Sequence, residues 1–478
     1  MQIVKRLGRD SLLYGLGLGF SHGLPFVLLP VFTRILDPGE YGAVEFLLSL
    51  GLVFASLMDM GQLSTQGFYF FHNKPGHAER SALVTSVFSL RGLCGLCVLA
   101  LAVPLAPLLN RYFSLDSLTP FSLGLALLAA FCFQVLLQGQ DLFRLTARPY
   151  NFVAFAALHA VLASAGAIGL IRTGLGQDGY FLGFALASVL CAAALWHSQR
   201  AYLALGRQAW GRWREYLRFG VPLLPAALAM DVLSSADRWL VARFLSPEEL
   251  GLYAVAYRFA LVMGMAVAAF RQAWFPIAMQ SLWDAEGERL FRTVSRYYMG
   301  AAVSGVLILT AAAPHLLRLM APAQYAPAAP LVGVLAWYPV CFGLYALVGC
   351  AILRAEKTWL AAVVAAAGAA ANLLLGWLLI PAYGLMGAAI STALSFSVWI
   401  ILTLAVGSRL WPVRFPLGTF AGLTVLGGGG VALLNALNAG PAPSLGMTAA
   451  ALAGLLALAA LLSIGKELAA LATGRKKG

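Results

Sequence analysis

Charge is what this chain has least of. Only 11% of its 478 residues are Asp, Glu, Lys or Arg, where a soluble domain carries about 25%. A surface in water could not be covered with so few charged groups, so a soluble enzyme or a nucleic-acid-binding domain is excluded. Acids are the scarcer sign, 19 against 32 basic residues, for a net charge of +13. Cysteine is sparse as well. Cys94, Cys97, Cys132, Cys191, Cys341 and Cys350 all fall inside apolar blocks. Cys94 and Cys97 form a CxxC with no second pair and no histidine cluster nearby, so they read as small apolar helix residues rather than redox or metal groups. No carboxylate cluster and no nucleophile–base arrangement stands out, so neither catalysis nor a metal or other cofactor is expected. Extended polar stretches are missing too, which leaves no extramembrane domain. No small-residue cleavage site follows the first apolar block, so that block is expected to stay as a helix.

What is present is apolar length. Hydrophobic residues make up 61% of the chain, in blocks of about 20 or more, each enough to cross a ~30 Å hydrocarbon core as a helix. The blocks are apolar all round, which argues against the alternation of a barrel. Spans are expected at roughly 11–35, 41–70, 81–109, 120–143, 151–171, 180–197, 219–242, 250–279, 298–320, 329–353, 359–380, 384–407, 416–437 and 446–465. The expected fold class is thus an all-α integral membrane protein of about fourteen transmembrane helices. Positive charge alternates between the connections: 23 of the 32 basic residues share one side with both termini, and five lie on the other. That bias places both termini in the cytoplasm. Two cytoplasmic connections look amphipathic. Trp210, Trp213, Tyr216 and Leu217 interleave with Arg207, Arg212, Arg214 and Arg218, and Trp283, Leu290, Phe291 and Val294 interleave with Arg289, Arg292 and Arg296. Both are expected to lie on anionic membrane lipid.

The chain repeats itself. Arg34, Leu36, Pro38, Glu40 and Gly42 recur as Arg243, Leu245, Pro247, Glu249 and Gly251, at a constant offset of 209 that Arg9 and Arg218 also keep. The shared RxLxPxExG closes one span and opens the next. Proline suits the first turn of a helix and an acid suits its N-terminus, so the motif reads as a helix-hairpin turn. A weaker echo pairs Gly183-Phe184-Ala185 with Gly387-Ala388-Ala389. The repeat unit is six spans, an even number, so two parallel-oriented lobes are expected at 1–203 and 204–407. Two additional spans and a basic tail follow at 408–478. The Gly427–Gly430 run in that tail favours close helix contact or a kink.

Several segments resemble the oligosaccharide flippase (Wzx-type) branch of the multidrug/oligosaccharidyl-lipid/polysaccharide exporter superfamily. They are the RxLxPxExG opening; Phe219-Gly220-Val221-Pro222-Leu223-Leu224-Pro225; Asp237-Arg238 followed by Gly251-Leu252-Tyr253; and Asn372 followed by Ile380-Pro381-Ala382-Tyr383-Gly384-Leu385-Met386-Gly387. The arginine-rich opening of the lipid II flippase branch is not there. The resemblance implies two six-helix lobes around a central cavity. It implies a polyprenyl-pyrophosphate-linked oligosaccharide as cargo, moved from the cytoplasmic to the periplasmic leaflet of the inner membrane. Polysaccharide polymerase and glycosyltransferases are the protein partners of such a carrier.

Ionisable groups inside spans normally face a cavity or a partner. Arg91, Arg238, Arg258 and Arg271 are the candidate substrate-binding cations, and Asp59 and Asp231 the candidate ion-coupling acids. Glu45 and Asp237 are the other clear intraspan acids, which sets four acids against those four arginines. Asp231, Ser234 or Ser235, and Arg238 share a helix face; Asp59, Gln62 and Gln66 share another. Each stripe reads either as cavity lining or as interhelical hydrogen bonds. His22 and His159 read as helix–helix hydrogen bonds before proton relays. Alternative functions are a cation-coupled exporter of small amphipathic molecules and a membrane glycosyltransferase or polymerase.

Overall fold

The computed structural model describes residues 23–72, 76–113, 118–203, 212–284, 286–411, 413–439 and 445–472. Arg9, His22, Arg207 and Trp210 lie outside the described residues. After a helical turn at 23–27, the first unit contains α1 (Leu29–Ile35), α2 (Pro38–Asp59), α3 (Gln62–Tyr69), α4 (His77–Ala102), α5 (Ala106–Phe113), α6 (Pro120–Leu145), α7 (Pro149–Leu170), α8 (Gly176–Ser198), α9 (Trp213–Gly220) and α10 (Leu224–Phe244). From α11 (Pro247–Ser281) the chain enters the second unit, with α12 (Gly287–Met320), α13 (Ala329–Leu335), α14 (Trp337–Val348), α15 (Cys350–Arg354), α16 (Trp359–Leu410), α17 (Leu417–Asn438) and α18 (Leu445–Ala472). The two compact units are Met1–Gly251 and Leu252–Gly478. No strand occurs among the described residues.

Among the described residues, eleven helical stretches are long and apolar enough to cross a membrane. Two are too long for one crossing. Pro149–Ser198 has 50 residues and Trp359–Leu410 has 52, about 75 Å each if straight. Both fold back at a glycine. Gly176 sits at φ 48°, ψ −131° and Gly384 at φ 57°, ψ −138°, conformations that a side chain opposes. Three residues on, a Cβ on Gly179 would meet the Leu170 carbonyl, and one on Gly387 would meet the Leu379 carbonyl. The two hairpins therefore share a Gly-x-x-Gly, at 176–179 and 384–387, offset by 208. This corrects the expected echo of Gly183 with Gly387: Gly183 instead packs on Gly166 and Ala167 of the facing arm.

The RxLxPxExG motif has the same local structure in both copies. Glu40 N–H donates to Asp37 Oδ1 at 2.8 Å and Asp37 N–H to Glu40 Oε2 at 3.3 Å. In the second copy Glu249 N–H donates to Ser246 Oγ at 3.2 Å and Ser246 N–H to Glu249 Oε2 at 3.0 Å. Each is a capping box that satisfies two orphan donors at a helix start. The motif glycines then bring the two turns together. A Cβ on Gly42 would collide with the Pro247 carbonyl, and one on Gly251 with the Pro38 carbonyl. These residues correspond through the repeat, so the contact is reciprocal.

From that point α10 runs antiparallel along α2. Trp239 Nε1 donates to Ser49 Oγ at 2.9 Å, and Ser56 Oγ donates to Asp231 Oδ2 at 2.5 Å. At the other end Met60 (φ 46°) and Gly61 (φ 73°) break α2 from α3, and a Cβ on Gly61 would meet the Gly220 carbonyl. The packing boundary at 251/252 differs from the boundary expected from the repeat near 203/204, because α10 packs lengthwise on α2.

Both amphipathic connections set an aromatic ring against protein. In α9, Tyr216 is buried and packs edge-on to Tyr69, 5.3 Å between ring centroids. The other stretch is not a separate interfacial helix. It forms the first turns of the 34-residue α12, where Phe291 is buried between Trp274 and Trp411 at 5.0 Å from each. Burying that ring on two tryptophans holds the segment against α11 and the residue that follows α16. Of the Gly427–Gly430 run, Gly427 meets Trp337 and Val303 and Gly430 meets Leu307 and Leu455, while Gly428 and Gly429 face open space.

Replacing Gly42 by Leu should cost at least the ~1–3 kcal/mol of an overpacked core, since the obstacle is backbone. Gly169→Leu is the control, as Gly169 has no neighbour there. Thermal unfolding of the purified protein should show a midpoint several degrees lower for the first and unchanged for the second. Equal midpoints would refute the close approach of the two turns.

Candidate functional site

In the first unit the intraspan charges are tied to one another. Arg91 on α4 is fully buried. Its guanidinium pairs with Asp59, and Nη1 donates to the Gln134 carbonyl at 2.6 Å. Asp59 Oδ1 also takes Leu63 N–H at 3.2 Å, at the start of α3. One turn on, Gln66 Nε2 reaches the Gln138 carbonyl at 3.3 Å and Asp141 Oδ2 at 3.4 Å, and Gln138 Nε2 returns a bond to Gln66 Oε1 at 3.1 Å. Asp141 pairs with Arg144 at 2.5 Å. The Asp59/Gln62/Gln66 stripe thus stitches α2 and α3 to α4 and α6 (Gln62 Nε2 lies 3.7 Å from Cys94 Sγ). Cys94 is buried and Cys97 exposed, and both thiols are free.

The α10 stripe faces α2. Asp231 accepts the Ser56 hydroxyl. Arg238 Nη1 donates to the Ser234 carbonyl at 3.0 Å, and Glu45 lies 4.0 Å from its guanidinium. Asp237 precedes Arg238 by one residue, about 100° round the helix, yet it accepts Arg238 N–H at 2.8 Å and stands 3.6 Å from Arg238 Nη1. Adjacent residues on a helix meet here because Asp237 bends back over the backbone. His159 joins two helices: its Nε2 lies 2.9 Å from Ser188 Oγ, and its ring stacks on Phe133 with centroids 5.1 Å apart.

The second unit differs. Arg258 is half-buried on α11, beside Tyr257. Arg271, further along the same helix, is exposed, and its guanidinium lies 6.0 Å from the Phe342 ring centroid. Phe342 belongs to a row of rings. Tyr257 stacks on Tyr338 at 4.7 Å, Tyr338 approaches Phe396 at 5.5 Å, Phe342 approaches Trp399 at 5.3 Å, and Trp399 stacks on Tyr345 at 4.5 Å. Sequence reasoning missed this row. Its signal was present: Tyr338, Phe342 and Tyr345 recur at i, i+4, i+7 and Phe396 and Trp399 at i, i+3, each set on one helix face. Asn372 was read only as a mark of resemblance. It is fully buried, and neither of its amide heteroatoms has a hydrogen-bond partner among the described residues. An unsatisfied buried amide costs about 1–3 kcal/mol, so this position is one to probe.

Removing Arg91 should therefore act through folding. Arg91→Ala strands Asp59 in an apolar bundle, at a cost of about 3–5 kcal/mol, and the yield of monodisperse protein should collapse. The double variant Arg91→Met/Asp59→Leu removes both charges and should recover much of that yield. A well-folded Arg91→Ala that fails only in transport would instead place Arg91 in substrate binding.

Comparison with known proteins assigns the architecture. A family model described as "Polysaccharide biosynthesis protein" matches residues 7–282. The chain is 26% identical over 336 residues to the succinoglycan biosynthesis transport protein ExoT of Rhizobium meliloti, covering 66% of this chain and 63% of that one. It is 26% identical over 263 residues to the probable flippase AglR of Haloferax volcanii, covering 52% and 53%. The matches thus span less than two thirds of these relatives' length. Among solved structures it superposes on the lipid II flippase MurJ in an inward closed conformation with a TM-score of 0.71. That match has 12% identity and covers 96% of this chain and all of that one. It superposes on the Vibrio cholerae MATE transporter VcmN in the bent form at 0.55, with 14% identity over 86% and 98%. Those two likenesses are likenesses of fold. With more than half its length matched by one model, the chain belongs to the polysaccharide biosynthesis protein family.

Proposed function

We propose that this protein is a flippase. It moves a polyprenyl-pyrophosphate-linked oligosaccharide across the inner membrane, from the cytoplasmic to the periplasmic leaflet, by alternating access. Family membership and relatives named as transport proteins and flippases support the class. The observation that carries the cargo is Arg271, an exposed guanidinium on an apolar 35-residue helix, beside a row of aromatic rings. A guanidinium offers a pyrophosphate two parallel N–H donors. Aromatic faces suit the C–H faces of sugar rings. On the orientation drawn from the charge bias, Arg271 lies in the cytoplasmic third of its span, the side from which such a cargo would be collected. Arg258, about three and a half turns away, would carry the anion onward. Arg91 and Arg238, held by Asp59 and by Glu45 and Ser234, serve the bundle in this reading.

For ion coupling the proposal favours Asp231 over Asp59. Asp59 is committed to Arg91 and to Leu63 N–H, whereas Asp231 meets a neutral hydroxyl and is half-buried. The reading has glycosyltransferases and a polymerase working on either side of the carrier, and it requires no covalent step.

Arg271→Ala should abolish surface-polysaccharide display while the protein inserts in the membrane at normal levels, with glycan accumulating on the carrier lipid. Arg258→Ala should act the same way. Arg271→Lys keeps the charge without the fork and should restore only part of the flux. Mass spectrometry of lipid-linked glycans in a deletion strain carrying each variant reads all three. Normal display by both alanine variants would overturn the assignment.

A further inference from the structure

The second unit has a cavity that the transport reading does not use. It has a volume of about 370 Å³ and lies where α12 and α17 end together, under the 3-10 turn Ala323–Ala328. Pro322, Ala326 and Pro330 make apolar walls, and Arg318, Asn435 and Asn438 supply the polar groups. Asn435 is held in place: its Nδ2 donates to the Pro330 carbonyl at 2.8 Å, which leaves Oδ1 as an acceptor. Asn438 Nδ2 is buried and has no hydrogen-bond partner among the described residues. Arg318 is exposed at the rim, and no carboxylate pairs with it among the described residues.

Two features decide what fits. The site mixes donors and acceptors, because each asparagine amide offers both. It also sits at the C-terminal ends of α12 and α17, where the last carbonyls lack intrahelical partners, and beside the first residues of the short α13, so that helix ends of both signs border it. A phosphate or carboxylate has acceptors only and would leave Asn435 Oδ1 and the free helix-end carbonyls without a donor. A neutral ligand whose groups both give and take hydrogen bonds suits it better, with aliphatic faces to lie on proline and alanine. We propose that this cavity binds a neutral hexopyranose unit. By the charge-derived orientation it opens at the outer face, so that it would meet sugars of the cargo after they cross. That second clause rests on the flippase reading; the sugar binding itself does not.

The test uses the full chain in nanodiscs of phosphatidylethanolamine and phosphatidylglycerol, so that no sugar-headed detergent competes. Saturation-transfer NMR with glucose and with galactose should give binding with a dissociation constant on the order of millimolar. Asn438→Leu, which removes the free amide, should weaken it at least tenfold. Ala326→Phe, which fills the cavity from the opposite wall, should do the same, so that the result does not hang on one fold-sensitive position. Arg271→Ala should leave it unchanged. Absence of sugar binding by the unaltered protein, equal affinity in both cavity variants, or displacement of the sugar by inorganic phosphate would each overturn the proposal. Normal export by both Arg271→Ala and Arg258→Ala, with sugar binding still lost in the cavity variants, would overturn the flippase assignment and leave this site standing.

Discussion

The seam between α2 and α10 is the constraint on which the first unit depends. A bundle in lipid gains little from burying apolar surface, because the tails outside are as apolar as the residues inside. Helices must then be held by close backbone approach and by polar contacts that lipid cannot replace. The seam has both. Glycines at its two ends, Gly42 against Pro247 and Gly61 against Gly220, bring backbone onto backbone. They stand 19 residues apart on the sequence, about 28 Å of helix rise, close to the thickness of the hydrocarbon core. Between them lie the Glu45–Arg238, Trp239–Ser49 and Ser56–Asp231 contacts.

The same logic explains why so much intraspan charge is quiet. Asp59 and Arg91 cancel, Asp141 and Arg144 cancel, and Glu45 and Asp237 flank Arg238. A guanidinium with such partners has few hydrogen-bond donors left for anything else. Arg271 differs because its neighbour is the face of Phe342, whose attraction for a cation is weaker than that of a carboxylate. The two units thus divide the labour of charge: in the first it fastens helices, and in the second an exposed cation stands beside aromatic rings.

The hairpins at Gly176 and Gly384 show how one structural device is preserved while its surroundings drift. Both turns take a backbone conformation that glycine alone adopts readily, and both press a second glycine three residues later onto the preceding arm. The identities between copies are few, but they sit where a Cβ is sterically forbidden. The flanking residues, Gln177-Asp178 in one and Leu385-Met386 in the other, are free to differ.

The helical, membrane-spanning class was legible in the sequence because apolar length and scarce charge leave no other backbone solution in lipid. The hairpin turns were legible because RxLxPxExG is a local motif: proline, cap and acid act within one turn. The Gly183 echo was misaligned because a glycine matters through what crosses it, and the crossing partner is remote in sequence. The Phe291 segment was misplaced for a similar reason, since an amphipathic pattern does not say whether its apolar side meets lipid or Trp274 and Trp411. Which of the four intraspan arginines are satisfied by carboxylates was decided only by tertiary structure. A charge in an apolar span announces that it needs a partner, but whether that partner is Asp59 on a neighbouring helix or the open face of Phe342 is fixed by how the helices pack.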